Sequence, residues 1–116
     1  MTIIIHRIRL HDGVTPIRFE TWVRDVDYAT CPELPSVVSF SVQRVVDPAA
    51  RKHTDAKGVV GDEIFHYVEM IEVTSPEDFE HDMQSPPFRK LVSDFDQMAK
   101  VVDETVGECI GDGYHA

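Results

Sequence analysis

Two histidines in strand-like segments could move protons in this chain. His6 lies in residues 3–10 and His66 in residues 64–73, and both segments alternate their side chains between two faces. An imidazole titrates near neutral pH, the range in which a general acid or base works best. If the two strands are neighbours, both rings can line one cavity. For each histidine the alternative is a buried ring satisfied by a hydrogen bond.

A second group of candidate residues is Trp22, Asp27, Tyr28 and Cys31. The indole of Trp22 can stack on a flat aromatic ligand or simply fill the core. We expect Asp27 and Cys31 to contact a ligand, and Tyr28 to assist the histidines in proton transfer. On an ideal helix Tyr28 lies opposite Trp22, so it reaches a shared cavity only if the helix has already ended. Cys31 as a nucleophile would need a base beside it, and a packed thiol is the simpler interpretation.

The elements that must position these residues follow the order strand, helix, strand, strand, helix, strand. Thr15 and Pro16 are typical of a helix start, and apolar residues at helical spacing carry this first helix to about Tyr28. Ser75 and Ser85, each followed by proline, indicate that the second helix is broken into two. The predicted strands are residues 3–10, 37–46, 64–73 and 101–110.

Two strand-helix-strand units of this kind predict an α+β, ferredoxin-like βαββαβ domain, with helices on one face of a four-stranded antiparallel sheet. The first and third strands are then central neighbours. We expect the helix-covered face to enclose a ligand cavity beneath the two helices. The residues predicted to line it are His6, Ile8, Trp22, Phe40, His66, Val68, Met70 and Phe88.

The opposite sheet face would be bare in a single chain. We expect Ile3, Ile5, Tyr67 and Ile71 there, and a second copy of the sheet packed against them in a twofold homodimer. Arg7 or Arg9 could pair with Glu69 between the two sheets.

Composition narrows the function further. The chain has 116 residues, one domain's length, and a formal net charge of -10 with a pI near 4.8, so we expect neither nucleic acid nor an anionic membrane as a partner. Its two cysteines show no metal-ligand spacing, and no nucleotide-binding or metalloprotease motif occurs. We therefore expect no metal or other cofactor. The opening MTIIIHRIRL has only three consecutive isoleucines before His6, Arg7 and Arg9, so we expect no signal peptide. Reduced thiols are the simpler interpretation of the two cysteines, which favours a cytoplasmic location. Residues 47–62 are rich in turn formers and predict a long loop or hairpin arm.

A family resemblance covers nearly the whole chain. The first strand reads IIHRIRL, and the following segment contains Phe19, Glu20, Trp22, Val23, Arg24, Asp27, Tyr28, Cys31, Leu34, Ser36 and Val37. This pattern resembles the RedY-like proteins of the dimeric α/β-barrel superfamily. That superfamily also holds cofactor-free monooxygenases, haem-degrading enzymes and polyketide cyclases. RedY-like proteins are associated with pathways to prodiginine, bisindole and carbazole pigments, where some act as cyclases.

The resemblance implies a cofactor-independent cyclase that acts on a reactive, indole-bearing aromatic intermediate. A cofactor-free aromatic monooxygenase is one alternative, and a non-catalytic carrier that docks on a partner biosynthetic enzyme through residues 51–57 is another. His6 and His66 match strand histidines of the polyketide cyclase relatives, whereas Phe88 stands where those relatives have a further histidine. Haem-degrading relatives have a histidine one turn after the phenylalanine of the second helix, and this chain has Val92 there.

Overall fold

A four-stranded antiparallel sheet with helices against one face forms the frame of the molecule. A computed structural model describes residues 1–46, 53–54, 60–61 and 64–116. The elements in chain order are β1 (Thr2–Leu10), α1 (Pro16–Trp22), a π-helical turn (Val23–Asp27), α2 (Tyr28–Thr30), a 3-10 turn (Cys31–Glu33), β2 (Val37–Arg44), β3 (His53–Thr54), β4 (Val60–Gly61), β5 (Tyr67–Val73), α3 (Pro76–Asp82), α4 (Pro86–Asp96) and β6 (Ala99–Glu108). The sheet order is β2-β5-β1-β6, so the central strands β1 and β5 are neighbours and the predicted ferredoxin-like α+β fold is confirmed.

Within residues 47–62 the structure describes only β3 and β4. These two short strands pair antiparallel, with His53 opposite Gly61 and Thr54 opposite Val60. The remainder of that range, including most of the docking segment predicted at residues 51–57, lies outside the described residues. Its role as a loop, hairpin arm or docking surface stays a prediction.

The first helical stretch contains a wider turn in its middle. Thr15 caps α1, and its hydroxyl accepts a hydrogen bond from the Arg18 N–H at 3.2 Å. At the π-helical turn the Tyr28 N–H donates to the Val23 carbonyl, five residues back. The helical path then continues to Glu33 instead of ending at the predicted Tyr28. As a result Asp27 is buried and Tyr28 is exposed.

Strand register assigns each central side chain to one face of the sheet. His6 pairs with Glu69 and Ile8 with Tyr67, so these side chains share the inner, helix-covered face. Because alternate residues of β5 point to opposite faces, Val68 and Met70 lie on the outer face, and His66, which precedes β5, accepts a hydrogen bond from the Leu10 N–H and does not line the pocket that contains His6. The prediction that these three residues line the cavity with His6 is therefore wrong.

The outer sheet face differs from the prediction as well. Ile3 and Ile5 lie there as expected, but Tyr67 and Ile71 are buried on the inner face. The Arg7 guanidinium forms an ion pair with Asp103 and lies 5.5 Å from the centre of the Phe65 ring. The predicted pairing of Arg7 or Arg9 with Glu69 is wrong, because Glu69 points inward to His6.

Two groups of buried apolar residues stabilise the interior between sheet and helices. The larger, here called the packed cluster, joins the ends of β1 and β6 to α1. The smaller joins β1 and β5 to α3. The packed cluster comprises Ile8, Leu10, Phe19, Val23, Tyr67, Met98 and Ala99, and the smaller group comprises Ile4, Ile71, Val73 and Phe79. The row of His6 and Glu69 lies between them in the sheet register.

Strand β6 begins at Ala99, two residues before the predicted start, because the Met98 and Ala99 side chains belong to the packed cluster. Its pairing with β1 contains one irregularity. Arg7 pairs with Asp103 and Ile8 with Val101, so Val102 is an extra residue in β6. Within the residues that the structure describes, no helix combines the length and apolar character needed to cross a membrane.

Candidate active site

A pocket of about 360 Å³ opens between the inner sheet face and the helices. Its walls are mostly apolar, with aromatic side chains from both layers, and its polar groups are few and mostly acidic. This is the composition typical of a site for a small hydrophobic ligand. The lining residues are His6, Trp22, Asp27, Cys31, Leu34, Val37, Phe40, Glu69, Ile71, Phe79, Met83, Phe88, Leu91, Val92, Phe95, Asp96, Lys100, Val101 and Glu104.

Two carboxylates hold the His6 imidazole at the sheet side of the pocket. Nδ1 lies 2.7 Å from Glu69 Oε2, and Nε2 lies 2.7 Å from Glu104 Oε2. The three residues stand directly across from one another on β5, β1 and β6. Since carboxylates only accept hydrogen bonds, both contacts are satisfied together when both ring nitrogens carry a proton. The geometry therefore favours the imidazolium form.

The electrostatic surroundings of His6 agree with that form. Burial on its own lowers the pKa of His6, but the hydrogen bonds and negative charges of Glu69 and Glu104 outweigh it, so the pKa is raised above the ordinary histidine value. The two partners differ in exposure: the Glu69 side chain is 14% exposed and that of Glu104 is 58% exposed. Glu104 is thus the partner that solvent or a ligand can reach.

Asp27 brings a third carboxyl group to the pocket from the helix side. Its exposed fraction is 7%, and among the described residues no hydrogen bond to its side chain occurs. Burial, with the negative charge of Glu69 as a second cause, raises the pKa of Asp27 to about 7. A carboxyl group in this state exchanges protons near neutral pH, which is unusual for a residue that serves only structure.

Cys31 lies one helical turn after Asp27, and its thiol donates to the Asp27 carbonyl at 3.5 Å. Burial, followed by the charges of Asp27 and Glu69, raises the pKa of the Cys31 thiol to about 11. A thiol of this kind stays protonated at neutral pH and is a poor nucleophile. Cys31 is therefore a packed lining residue rather than an attacking group.

Aromatic side chains form much of the wall, and several are fixed by contacts behind them. The Trp22 Nε1–H donates to Asp94 Oδ2 at 3.2 Å, which orients the indole. Phe79 and Phe88 meet edge to face with ring centres 5.6 Å apart. Phe40 meets the Tyr28 ring edge to face at 5.7 Å. These contacts hold flat apolar surfaces ready for an aromatic ligand.

Six of the residues predicted from sequence meet in this pocket: His6, Trp22, Asp27, Cys31, Phe40 and Phe88. Ile8 is instead fully buried in the packed cluster. The Tyr28 hydroxyl lies outside the pocket, where it accepts from the Val42 N–H at 3.0 Å. His66 is bound to the backbone of β1, and its Nδ1 accepts from the Leu10 N–H at 3.1 Å. Neither Tyr28 nor His66 can relay a proton to His6 from these positions.

Sequence reasoning missed the two acids that flank His6. Glu69 stands in the apolar-rich run of β5, and a carboxylate is costly to bury without a partner. An acid within this apolar run therefore predicts a buried glutamate that is paired with a basic group on the inner face. Glu104 gave no comparable signal, because it lies among other polar residues of β6. Within the described part of the chain, no group of three or more histidine, cysteine or acidic residues is arranged to hold a metal ion.

The fold and the pocket define a ferredoxin-like α+β protein with a mostly apolar pocket whose few polar groups are mainly acidic. The family model of the REDY-like protein HapK matches residues 2–110. The chain therefore belongs to the REDY-like HapK family. A comparison with curated proteins gave no match.

Solved structures agree with this assignment. HapK from Hahella chejuensis is 44% identical, with a TM-score of 0.83, over 100% of this chain and 99% of that one. SnoaB, a cofactor-independent oxygenase from Streptomyces nogalater, is 15% identical with a TM-score of 0.68, over 94% of this chain and 92% of that one. A hydroxynitrile lyase from Passiflora edulis is 16% identical with a TM-score of 0.62, over 98% of this chain and 95% of that one. The last two similarities concern the fold alone.

Proposed function

We propose that this protein is a cofactor-independent cyclase that closes a ring in a reactive, indole-bearing aromatic intermediate of natural-product biosynthesis, of the carbazole, bisindole or prodiginine type. The observation that carries the proposal is the His6 imidazole held between Glu69 and Glu104 in an otherwise apolar pocket of about 360 Å³. Membership of the REDY-like HapK family supports the biosynthetic context.

Ring closure by addition of a nucleophilic carbon to a carbonyl group needs one proton removed and one proton supplied. The His6 imidazolium supplies a proton to the developing oxyanion, and the Glu104 carboxylate accepts the proton lost from carbon. Glu104 Oε2 and His6 Nε2 are 2.7 Å apart, so the proton returns to His6 within the pair after closure. Neither oxidant nor reductant is consumed, and Glu69 holds the ring in position throughout.

The apolar walls supply the second part of the mechanism. Trp22, Phe40 and Phe88 line the pocket and exclude water from the reacting groups. An intermediate folded against these rings is held close to the geometry of closure, which reduces the entropic barrier. A reactive compound is also protected from competing reactions with water.

The proposal is tested by incubating purified protein with a synthetic linear intermediate and measuring the ratio of cyclic products by liquid chromatography and mass spectrometry. We expect His6→Ala to abolish directed closure while the protein remains folded. His81→Ala is the matched control, because His81 is an exposed histidine of α3 outside the pocket. An unchanged product ratio in the His6 variant would remove His6 from the mechanism.

A cofactor-free aromatic monooxygenase is the second candidate, and it is favoured by the fold likeness to SnoaB. Oxygen uptake during turnover distinguishes it, since the cyclase consumes none. The third candidate function is that of a carrier, which protects an unstable intermediate and passes it to a partner enzyme. The apolar pocket would suit a carrier as well as a cyclase. A carrier would slow decomposition without changing which ring forms.

We also propose that a twofold homodimer is the working unit. Ile3, Ile5, Val68 and Met70 share the outer sheet face, and a second copy packed there would remove this apolar surface from water. Sedimentation equilibrium tests the proposal, with Ile5→Lys expected to yield monomers. A wild-type chain that sediments as a monomer would contradict it.

A further inference from the structure

Charge in the pocket is unevenly balanced. Four carboxylate side chains line it, Asp27, Glu69, Asp96 and Glu104, whereas His6 and Lys100 are the groups of opposite sign among its described lining residues. With both basic groups protonated and all four acids ionised, a net negative charge remains. The field inside the pocket therefore favours a positively charged ligand and disfavours an anionic one.

Asp27 is the acid whose position points most directly to a ligand. It is buried to more than nine-tenths, faces the pocket, and has no hydrogen bond to its side chain among the described residues. Glu69 and Glu104, by contrast, both contact His6 at 2.7 Å. A buried carboxyl group without a partner is costly to ionise, and its affinity for protons near neutral pH reflects that cost. A cationic ligand would supply the missing partner.

The walls around this carboxyl group suit a cation as well. Trp22, Phe40, Phe79, Phe88 and Phe95 all line the same pocket. The face of an aromatic ring attracts a positive charge, and a set of such rings next to a carboxylate is a known arrangement for binding ammonium groups. Among the described lining residues an anionic ligand would find no arginine, and the two basic side chains, His6 and Lys100, are outnumbered by the four acids.

We propose that the pocket selects aromatic ligands that carry a positively charged nitrogen, and that Asp27 is the residue that pairs with this charge. The inference rests on the proposed function in one respect, because it takes this pocket to be the substrate site. It adds the charge of the substrate: an aromatic compound that carries an alkylammonium or iminium group is accepted, and the corresponding carboxylate is rejected.

Three probes of matched size test the selection: 4-phenylbutylamine, 4-phenylbutan-1-ol and 4-phenylbutanoate. Trp22 is the chain's one tryptophan and lines the pocket, so its fluorescence reports binding directly. We expect the amine to bind about tenfold more tightly than the alcohol, since part of the charge attraction is offset by desolvation, and the carboxylate to bind most weakly. Equal affinities, tighter binding of the carboxylate, or no binding of the amine at millimolar concentration would overturn the proposal.

Two variants assign the preference to a residue. Asp27→Asn preserves shape and removes the charge, and we expect it to bring the amine to within about threefold of the alcohol. Asp25→Asn is the matched control, because Asp25 is an exposed acid of the same π-helical turn and should leave the preference unchanged. A preference that survives in Asp27→Asn would exclude Asp27 as the partner. If that variant fails to fold, the order of the three probes on the wild-type protein still decides the proposal.

These measurements need no turnover. A chain that binds the amine selectively but forms no ring retains the inference and loses the cyclase proposal. A chain that directs ring closure yet binds all three probes equally retains the cyclase and loses the inference. The two proposals therefore fail separately.

Discussion

The interior of this protein has two contrasting parts under the same layer of helices. The packed cluster is filled by apolar side chains, and its Ile8 and Phe19 are almost completely buried. The pocket, on the other side of Ile8 along β1, contains about 360 Å³ of open space and a row of charged groups. Trp22 and Phe95 belong to both parts, since they line the pocket and also pack against the packed cluster.

The two parts of the interior contribute differently to stability and to the features expected of a functional site. Close packing in one part supplies stability, because apolar surface removed from water is the main favourable contribution to folding. The other part keeps buried carboxyl groups and empty volume, both of which cost stability and are common at functional sites.

The largest expected effect is on the packed cluster. Phe19→Ala removes a ring that is 1% exposed, and we expect the free energy of unfolding to fall by about 3–5 kcal/mol. Phe88→Ala on the pocket wall should cost no more than about 2 kcal/mol, because Phe88 is only partly buried and borders space that is already empty. Urea denaturation measures both. Equal losses would show that the two parts contribute alike to stability.

The next effect concerns Asp27 and depends on pH. Its folded-state pKa of about 7 lies above the ordinary value of 3.8, so the folded state binds a proton more tightly than the unfolded chain. The stability of the wild-type protein should therefore fall between about pH 4 and about pH 7. A shift of one pKa unit corresponds to about 1.4 kcal/mol, and because the pocket is open we expect a total loss of about 3 kcal/mol. Asp27→Asn should remove this part of the pH dependence and be the more stable protein above pH 7.

Thermal unfolding at a series of pH values measures the Asp27 effect. Asp25→Asn again serves as the control, because its carboxyl group is exposed on the same turn. A pH dependence identical in the wild-type protein and in Asp27→Asn would show that Asp27 ionises without cost in the folded state.

The smallest expected change is in the titration of His6. Glu69→Gln removes one of the charges that raise the pKa of His6, so that pKa should fall relative to the wild-type protein. Because the raised pKa means that the folded state favours the imidazolium, the stability from this arrangement is present at low pH and is lost as pH rises through the folded pKa. Nuclear magnetic resonance of the imidazole protons follows the titration.

Glu72→Gln is the control for the His6 titration. Glu72 lies on the same strand with its side chain on the outer face, opposite Ile3. It should leave the pKa of His6 unchanged. A fall of equal size in both variants would mean that the overall charge, rather than the contact at Nδ1, sets the titration.

Much of the fold follows from sequence, because alternation and helix-start residues are local signals. The order of strands and helices, the break between α3 and α4, and the inward direction of His6 were all predicted correctly. Strand β5 was assigned to the wrong face. Its inner side carries Tyr67, Ile71 and Val73 around Glu69, and that glutamate favours assigning the set to the opposite face, where Arg7 or Arg9 could pair with it.

The errors at the site have two physical origins. A glutamate on an inner face is acceptable only with a partner, and its partner His6 lies 63 residues away in sequence. Tyr28 fails as a candidate for a local reason: it could reach the cavity only if the helix ended there, and the helical path continues through further short turns to Glu33. The pattern of apolar residues along the chain predicts neither contacts between residues far apart in sequence nor irregular helical turns.

The extra residue Val102 in β6 determines which acid meets His6. If β6 paired regularly with β1 from its start at Ala99, Asp103 would stand opposite His6 and Glu104 would point to the outer face. With one residue bulged out, the neighbouring acids are divided between the two sides of the sheet: Asp103 meets Arg7 and Glu104 meets His6. The one extra residue thus directs the longer acidic side chain into the pocket and the shorter one to the opposite face of the sheet.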